Sequence, residues 1–161
     1  VVFSIIEKAL KEIDDFRLTE GKSLEVELTL RVNNITSLLI KVEDYEQERI
    51  DTVKARIIKN LKEVVDDKKI DNDRFEQELI YYIEKYDVTE EKIRLAQHCK
   101  YFKETMDSSI SEGKKLGFIC QEMGREINTL GSKANHIELQ KIVVQMKDEL
   151  EKIKEQILNI L

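Results

Sequence analysis

The chain has 161 residues, 37% of them charged, with no proline, five glycines, 6% aromatic residues and a formal net charge of −6. That length suits one substantial core and a single domain over residues 1–161, and heavy charge with few rings and no proline favours long helices over a sheet. No run approaches the roughly 18 consecutive apolar residues of a membrane span, and the acidity counts against a protein that coats nucleic acid indiscriminately, because phosphate attraction supplies most of such binding.

Phe3, Ile6, Leu10 and Ile13, spaced 3, 4 and 3, predict a first helix running toward Gly21. The pattern resumes with Leu24, Leu28, Val32, Ile35, Leu39 and Val42 and stays helical to about Val65, as one very long helix or as two joined near Gly21. Such a helix is too long for one small core to cover and is expected to pack against a second copy of the chain. Residues 66–73 have no apolar period and end in capping residues, which predicts a turn, with a further helix from about residue 73 to 86. Asp87, Thr89 and Glu90 then form a start signal: Asp87 caps, Glu90 reaches back in a capping box, and Glu91 favours the positive helix end.

Leu95, Cys99, Phe102, Met106 and Ile110 form the next buried stripe, with Glu91, Arg94 and His98 gathered along one flank. Gly113 is expected to end that helix, and residues 131–135 to break the one that follows. The last helix carries Leu139, Val143, Met146, Leu150, Ile153, Ile157 and Ile160 at alternating steps of 4 and 3, a heptad seam to be buried within the chain or across an interface. Cys99 and Cys120 lack metal-ligand spacing and read as buried free thiols. The expected fold is all-α, an elongated antiparallel bundle of long helices.

Residues 113–133 carry more chemistry than packing needs. Leu116, Ile119, Cys120, Met123, Ile127 and Leu130 share an apolar stripe. Gln121, Arg125, Asn128 and Ser132 follow one flank of it at steps of 4, 3 and 4, and Glu122, Glu126, Thr129 and Lys133 follow the other. Amides, a planar guanidinium fork and paired carboxylates suit a polyanionic, hydroxyl-bearing substrate. Glu122 and Glu126, one turn apart, can converge on a hard divalent cation. The plainer reading is a solvated face laced by pairs such as Glu122 with Arg125, each worth a few tenths of a kcal/mol. On spacing alone the plainer reading is favoured, and the uneven spread of charge only softens the objection that net acidity raises to nucleic-acid binding: residues 92–134 hold 8 basic and 5 acidic side chains, while residues 1–91 hold 15 and 23. His98 is the acid/base candidate, since imidazole titrates near neutral pH and Glu91 lies two turns away. His136 follows a loop and ranks below it.

The run from Gln121 through Thr129, followed by Ser132 and Lys133, closely resembles the C-terminal signature of the YicC family of bacterial endoribonucleases. Phe16 to Gly21 with Leu24 is similar to that family's Arg-Glu-Gly-Leu element, Asp87 to Glu91 with Arg94, Leu95 and His98 to its central acidic element, and Glu151 to Asn159 to its closing helix. Gly117, Lys154 and Leu161 depart from residues frequent in the family, outside the central motif. Family members carry a mixed sheet-and-helix domain ahead of the first element, so the resemblance implies a C-terminal part of a longer protein.

It also implies endonucleolytic cleavage of single-stranded RNA in the cytoplasm, a Mg²⁺ or Mn²⁺ ion on Glu122 and Glu126, and a homo-oligomer, a hexameric ring, with other RNA-decay enzymes as partners and no membrane. His98, Glu91, Glu122 and Glu126 are then the catalytic candidates, and Arg94, Gln121, Arg125, Asn128, Ser132 and Lys133 the groups that hold RNA. Two other classes fit the chain: a non-catalytic helical oligomerisation module, supported by the heptad seam, and an adaptor that binds RNA without cutting it, which needs only the basic segment.

Overall fold

The computed structural model describes residues 2–64, 72–108 and 112–158, which form six helices and no strand. They are α1 (Val2–Glu43), α2 (Glu46–Val64), α3 (Asn72–Lys85), α4 (Thr89–Met106), α5 (Gly113–Ala134) and α6 (Ile137–Ile157). Four of them close a ring in which α1 packs on α4, α4 on α5, α5 on α6 and α6 back on α1, while α2 and α3 pair with each other. Cross-helix pairs give the directions. Asn33 meets Lys103 and Glu43 meets Lys92 between α1 and α4; Arg31 meets Glu149 between α1 and α6; Glu91 meets Lys133 and Arg94 meets Glu126 between α4 and α5. Between α5 and α6, Gly124 faces Leu150 and Gly131 faces Val143, so α4 opposes α1, α5 opposes α4, α6 opposes α5, and closure of the ring leaves α6 antiparallel to α1.

The core follows the periods that predicted it. Leu28, Val32, Ile35, Leu39 and Val42 of α1 and Leu139, Val143, Met146, Leu150 and Ile153 of α6 are buried, both sets at steps of 4 and 3. Leu95, Cys99 and Phe102 of α4 and Met123, Ile127 and Leu130 of α5 complete the cluster. The α6 seam is thus filled inside the chain, by α1 and α5. Both cysteines are free and buried, and burial pushes the Cys99 thiol up to about 11 and that of Cys120 up to about 12, so neither is a thiolate near neutral pH.

Several boundaries fall elsewhere than expected. Gly21 lies inside an unbroken α1 with open space around it, since a helical glycine costs only about 1 kcal/mol against alanine. The break comes at Asp44 and Tyr45, where the Tyr45 ring turns onto His136 at 5.5 Å. Gly113 opens α5 instead of closing α4, which ends at Met106. Gly131 sits within α5, where a Cβ would stand 2.9 Å from Val143 Cγ1, so this glycine serves the approach of α5 to α6. Asn135, at φ 41°, is the residue that ends α5. The capping box does not form. Val88, fully buried, takes the N-cap position, Asp87 Oδ1 accepts from the amide and hydroxyl of Thr89, and Glu90 turns to Arg94. Residues 66–71 of the expected turn, Ile110 and Ile160 lie outside the described residues.

One part of α1 has no cover. Residues 2–23 are all exposed, Phe3, Ile6, Leu10 and Ile13 among them. At about 1.5 Å per residue, that stretch extends roughly 33 Å beyond the bundle.

Candidate functional site

The two polar ribbons of α5 part company in three dimensions. Gln121, Arg125, Asn128 and Ser132 face solvent, whereas Glu122, Thr129 and Lys133 are half-buried and Glu126 is buried. The second ribbon forms one wall of a seam whose other wall is the Glu91, Arg94, His98 flank of α4. That meeting is a consequence of antiparallel packing, because residues whose numbers sum to about the same value lie opposite each other.

The strongest link in the seam is Lys133 Nζ to Glu91 Oε1, at 2.7 Å. Glu91 is 6% exposed, and its second carboxylate oxygen, Oε2, is buried with no hydrogen-bond donor. An ionised carboxylate accepts at both oxygens, so one acceptor of a buried charged group stands unfilled. One turn along α4, Arg94 pairs with Glu90 and places Nη1 3.9 Å from Glu126 Oε1, an electrostatic contact beyond hydrogen-bond reach. Arg125 holds Glu122 at 3.1 Å on the solvent side. His98 is half-buried a further turn along α4 and makes no hydrogen bond or ion pair with the described residues.

Other hydroxyls and charges are committed to the scaffold. The Thr129 hydroxyl donates to Arg125 O and the Ser132 hydroxyl to Thr129 O, so Ser132 spends its proton on its own helix. Gln121 and Asn128 stand on the exposed ribbon, apart from the seam. Asp87 sits at the near end of α4. The Thr89 hydroxyl holds its carboxyl below the usual range against the opposing effect of burial, and Lys133 adds to the depression. Among the described residues no three His, Cys, Asp or Glu side chains gather as a metal-ligand group. Glu122 and Glu126 offer two carboxylates, which is the share of a coordination sphere that Mg²⁺ takes from protein when it keeps its waters and binds phosphate oxygens.

Arg49 was not among the residues the sequence singled out. It is buried beside this same end of the bundle, where α1 turns into α2 and α3 into α4. Nothing in its local spacing marks it: an arginine three residues after Glu46 on a charged helix reads as solvent-facing.

The described residues thus form an antiparallel four-helix bundle with a seam of buried acid and paired base along two adjacent helices. Residues 42–161 match the family model described as "Endoribonuclease YicC-like, C-terminal". The chain is 36% identical over 156 residues to the "Probable endoribonuclease YicC" of Clostridioides difficile (strain 630), an alignment spanning 96% of this chain and 53% of that relative. To the protein of the same name from Haemophilus influenzae it is 30% identical over 141 residues, 88% of this chain and 48% of the relative. The chain belongs to the YicC-like endoribonuclease family and spans about half the length of these curated relatives.

Proposed function

We propose that this chain is the helical part of an endoribonuclease that cleaves single-stranded RNA, with the α4–α5 seam as its cleavage site. The observation that carries the reading is Glu91: buried, held by Lys133, and left with an oxygen that lacks a donor. A ribose 2′-hydroxyl or an attacking water supplies that donor, and a carboxylate fixed by an ammonium is oriented to take the proton. His98, farther along the same flank, is the second proton carrier; Arg94, Arg125 and Lys133 bind phosphate oxygens, and Gln121 and Asn128 meet sugar or base edges from the exposed ribbon. Glu122 and Glu126 would hold a Mg²⁺ or Mn²⁺ ion, which when bound acidifies a water and offsets charge developing on the phosphate. No described helix is long and apolar enough to cross a membrane.

The exposed stripe of α1 favours a second property, self-association. Phe3, Ile6, Leu10 and Ile13 on this exposed stretch call for a cover, because most helical stability in proteins comes from packing an apolar face. A second copy of the helix supplies one by the same pattern, and a ring of copies would bring several seams to one strand.

The test is cleavage of an end-labelled single-stranded RNA by the full-length protein, with Mn²⁺ and with chelator, in parallel with Glu91→Gln, His98→Ala and Glu122→Ala. Loss of cutting in folded Glu91→Gln, with RNA binding retained, is expected. Undiminished cutting by all three variants would move the catalytic centre out of the seam and leave the chain as an assembly module.

A further inference from the structure

The walls of the seam continue past His98, at the end away from Glu91. On α4 the flank of Glu91, Arg94 and His98 takes its next step of 3 to Tyr101, and on α5 the ribbon opposite runs back from Glu122 toward Phe118 and Lys115. The register that sets Glu91 opposite Lys133 and Arg94 opposite Glu126 puts His98 level with Glu122, and Tyr101 level with Phe118 about one turn, roughly 5 Å, further along. Lys115 Nζ, 5.1 Å from the centroid of the Tyr101 ring, joins the two helices at this level. Two aromatic side chains therefore stand on facing walls just beyond His98.

Both rings reach water: Phe118 is 67% exposed and Tyr101 45%. A lone exposed apolar side chain needs no account, but these two share a level and a cation attends one of them. Lys115 is itself held by Glu112 Oε2 at 2.8 Å, so Tyr101 is ordered before anything binds. Phe118 pairs with no other ring among the described residues. The other exposed rings lie apart from the seam, Phe3 and Phe16 on the uncovered stretch of α1 and Tyr81 on α3.

The setting of each ring favours a flat ligand over a protein surface. One turn either way from Phe118 stand Lys114, Lys115, Gln121 and Glu122, and one turn either way from Tyr101 stand Gln97, His98, Glu104 and Thr105. Neither ring belongs to a continuous apolar patch of the kind that a second helix covers. Residues 98–118 hold 4 lysines and 3 acidic side chains, so attraction for phosphate is slight here and the rings carry the chemistry. A nucleobase meets that description, because every base has a π-face to lay on an aromatic ring, whatever its sequence.

We infer that Tyr101 and Phe118 form a base-stacking site at the His98 end of the α4–α5 seam, which holds an unpaired nucleobase of the RNA strand beside the cleaved bond, with Lys115 positioning Tyr101. The inference rests on the proposed RNA-cleaving reading and supplies a grip on bases that does not depend on charge.

The test uses the full-length protein with Phe118→Leu, Tyr101→Leu and Tyr101→Phe, and a single-stranded RNA of mixed sequence carrying 2-aminopurine, whose fluorescence is quenched by stacking. Affinity and quenching are measured over a range of salt, under chelator to hold cleavage back. Each Leu variant is expected to lose quenching and to weaken binding roughly five- to a hundredfold, with the salt slope unchanged because no phosphate contact is removed. Tyr101→Phe, which keeps the ring, is expected to retain more of both than Tyr101→Leu. Phe118→Leu, at an exposed position, is expected to shift the thermal midpoint little. Wild-type affinity and quenching in both Leu variants, with RNA still cut by the wild type, would overturn the inference and leave the cleavage reading standing. Fewer copies by sedimentation in Phe118→Leu, with affinity per copy unchanged, would overturn it in favour of contact with a second copy. Ring-dependent quenching in a protein that never cuts RNA would sink the cleavage reading and leave this site standing, whereas a wild type that binds no single-stranded RNA would overturn both.

Discussion

Removing the amine from the Glu91–Lys133 pair isolates the most consequential contact in the seam. Lys133→Met keeps the length and most of the apolar stem while deleting the donor to Glu91 Oε1 found among the described residues. Glu91 would then be a buried carboxylate with neither oxygen satisfied, because Oε2 already lacks a donor. Breaking a fully buried pair on one side costs about 3–5 kcal/mol. Lys133 remains 31% exposed against 8% for the Glu91 side chain, so water reaches one end and the cost drops to about 2 kcal/mol. For a chain of this size that lowers the thermal midpoint by roughly 4–8 °C. Urea unfolding of wild type, Lys133→Met, Glu91→Gln and the double variant closes a cycle, and the coupling energy is expected at about 1–2 kcal/mol, with the double variant more stable than Lys133→Met alone. A coupling near zero would refute the reasoning, since it would mean that Glu91 is solvated in the native protein and that its unfilled oxygen has no energetic meaning.

The helix glycines make an internal comparison. Gly117→Ala, in open space within α5, is expected to raise stability by up to about 1 kcal/mol, whereas Gly131→Ala, whose Cβ would meet Val143 Cγ1 at 2.9 Å, is expected to lower it by about 1–3 kcal/mol in the same urea titration. Glu149 supplies a pH dependence. Burial opposes its ionisation, yet hydrogen bonds from Asn34, Lys152 and Arg31 outweigh burial and hold its pKa below the usual glutamate value of 4.5. A depressed folded pKa contributes stability above the unfolded value that is lost as pH falls through the folded one, so Glu149→Gln should flatten the acid limb below about pH 4.5 and leave it unaltered if the α1–α6 bonds are not made in solution.

Most of the bundle was legible because its signals are local. The 4 and 3 steps of α1 and α6 named most of the buried residues, though Leu38 and Ile142 are buried off those steps and Phe3, Ile6, Leu10 and Ile13, on the same period, are exposed; the charged face of α5 named both its ribbons. Spacing carried part of the answer on which ribbon turns inward: at about 100° per residue Glu126 borders the apolar stripe and Arg125 points away from it, and the docking of α4 completes the burial of Glu126. Glycine was the least reliable mark. Gly21 and Gly131 both lie inside helices, the first because nothing crowds it and the second because Val143 does. Val88 displaced the capping box for a related reason: burying that side chain fixed the start of α4 one residue later than the polar pattern indicated. Arg49 was invisible altogether, since its burial comes from elements remote in sequence.

On the proposed reading, the pairing of charges in the seam bears on how RNA would be held. Arg94, Arg125 and Lys133 each already face a carboxylate, so a phosphate arriving at any of them exchanges one anionic partner for another and gains little from long-range attraction. Affinity drawn from such exchanges is modest per site. It grows by repetition along a strand, and the uncovered α1 stripe offers a route to that. On the proposed reading, Leu10→Ser with Ile13→Ser in α1 is expected to lower the number of copies seen by sedimentation and, through it, the steepness of binding with RNA length.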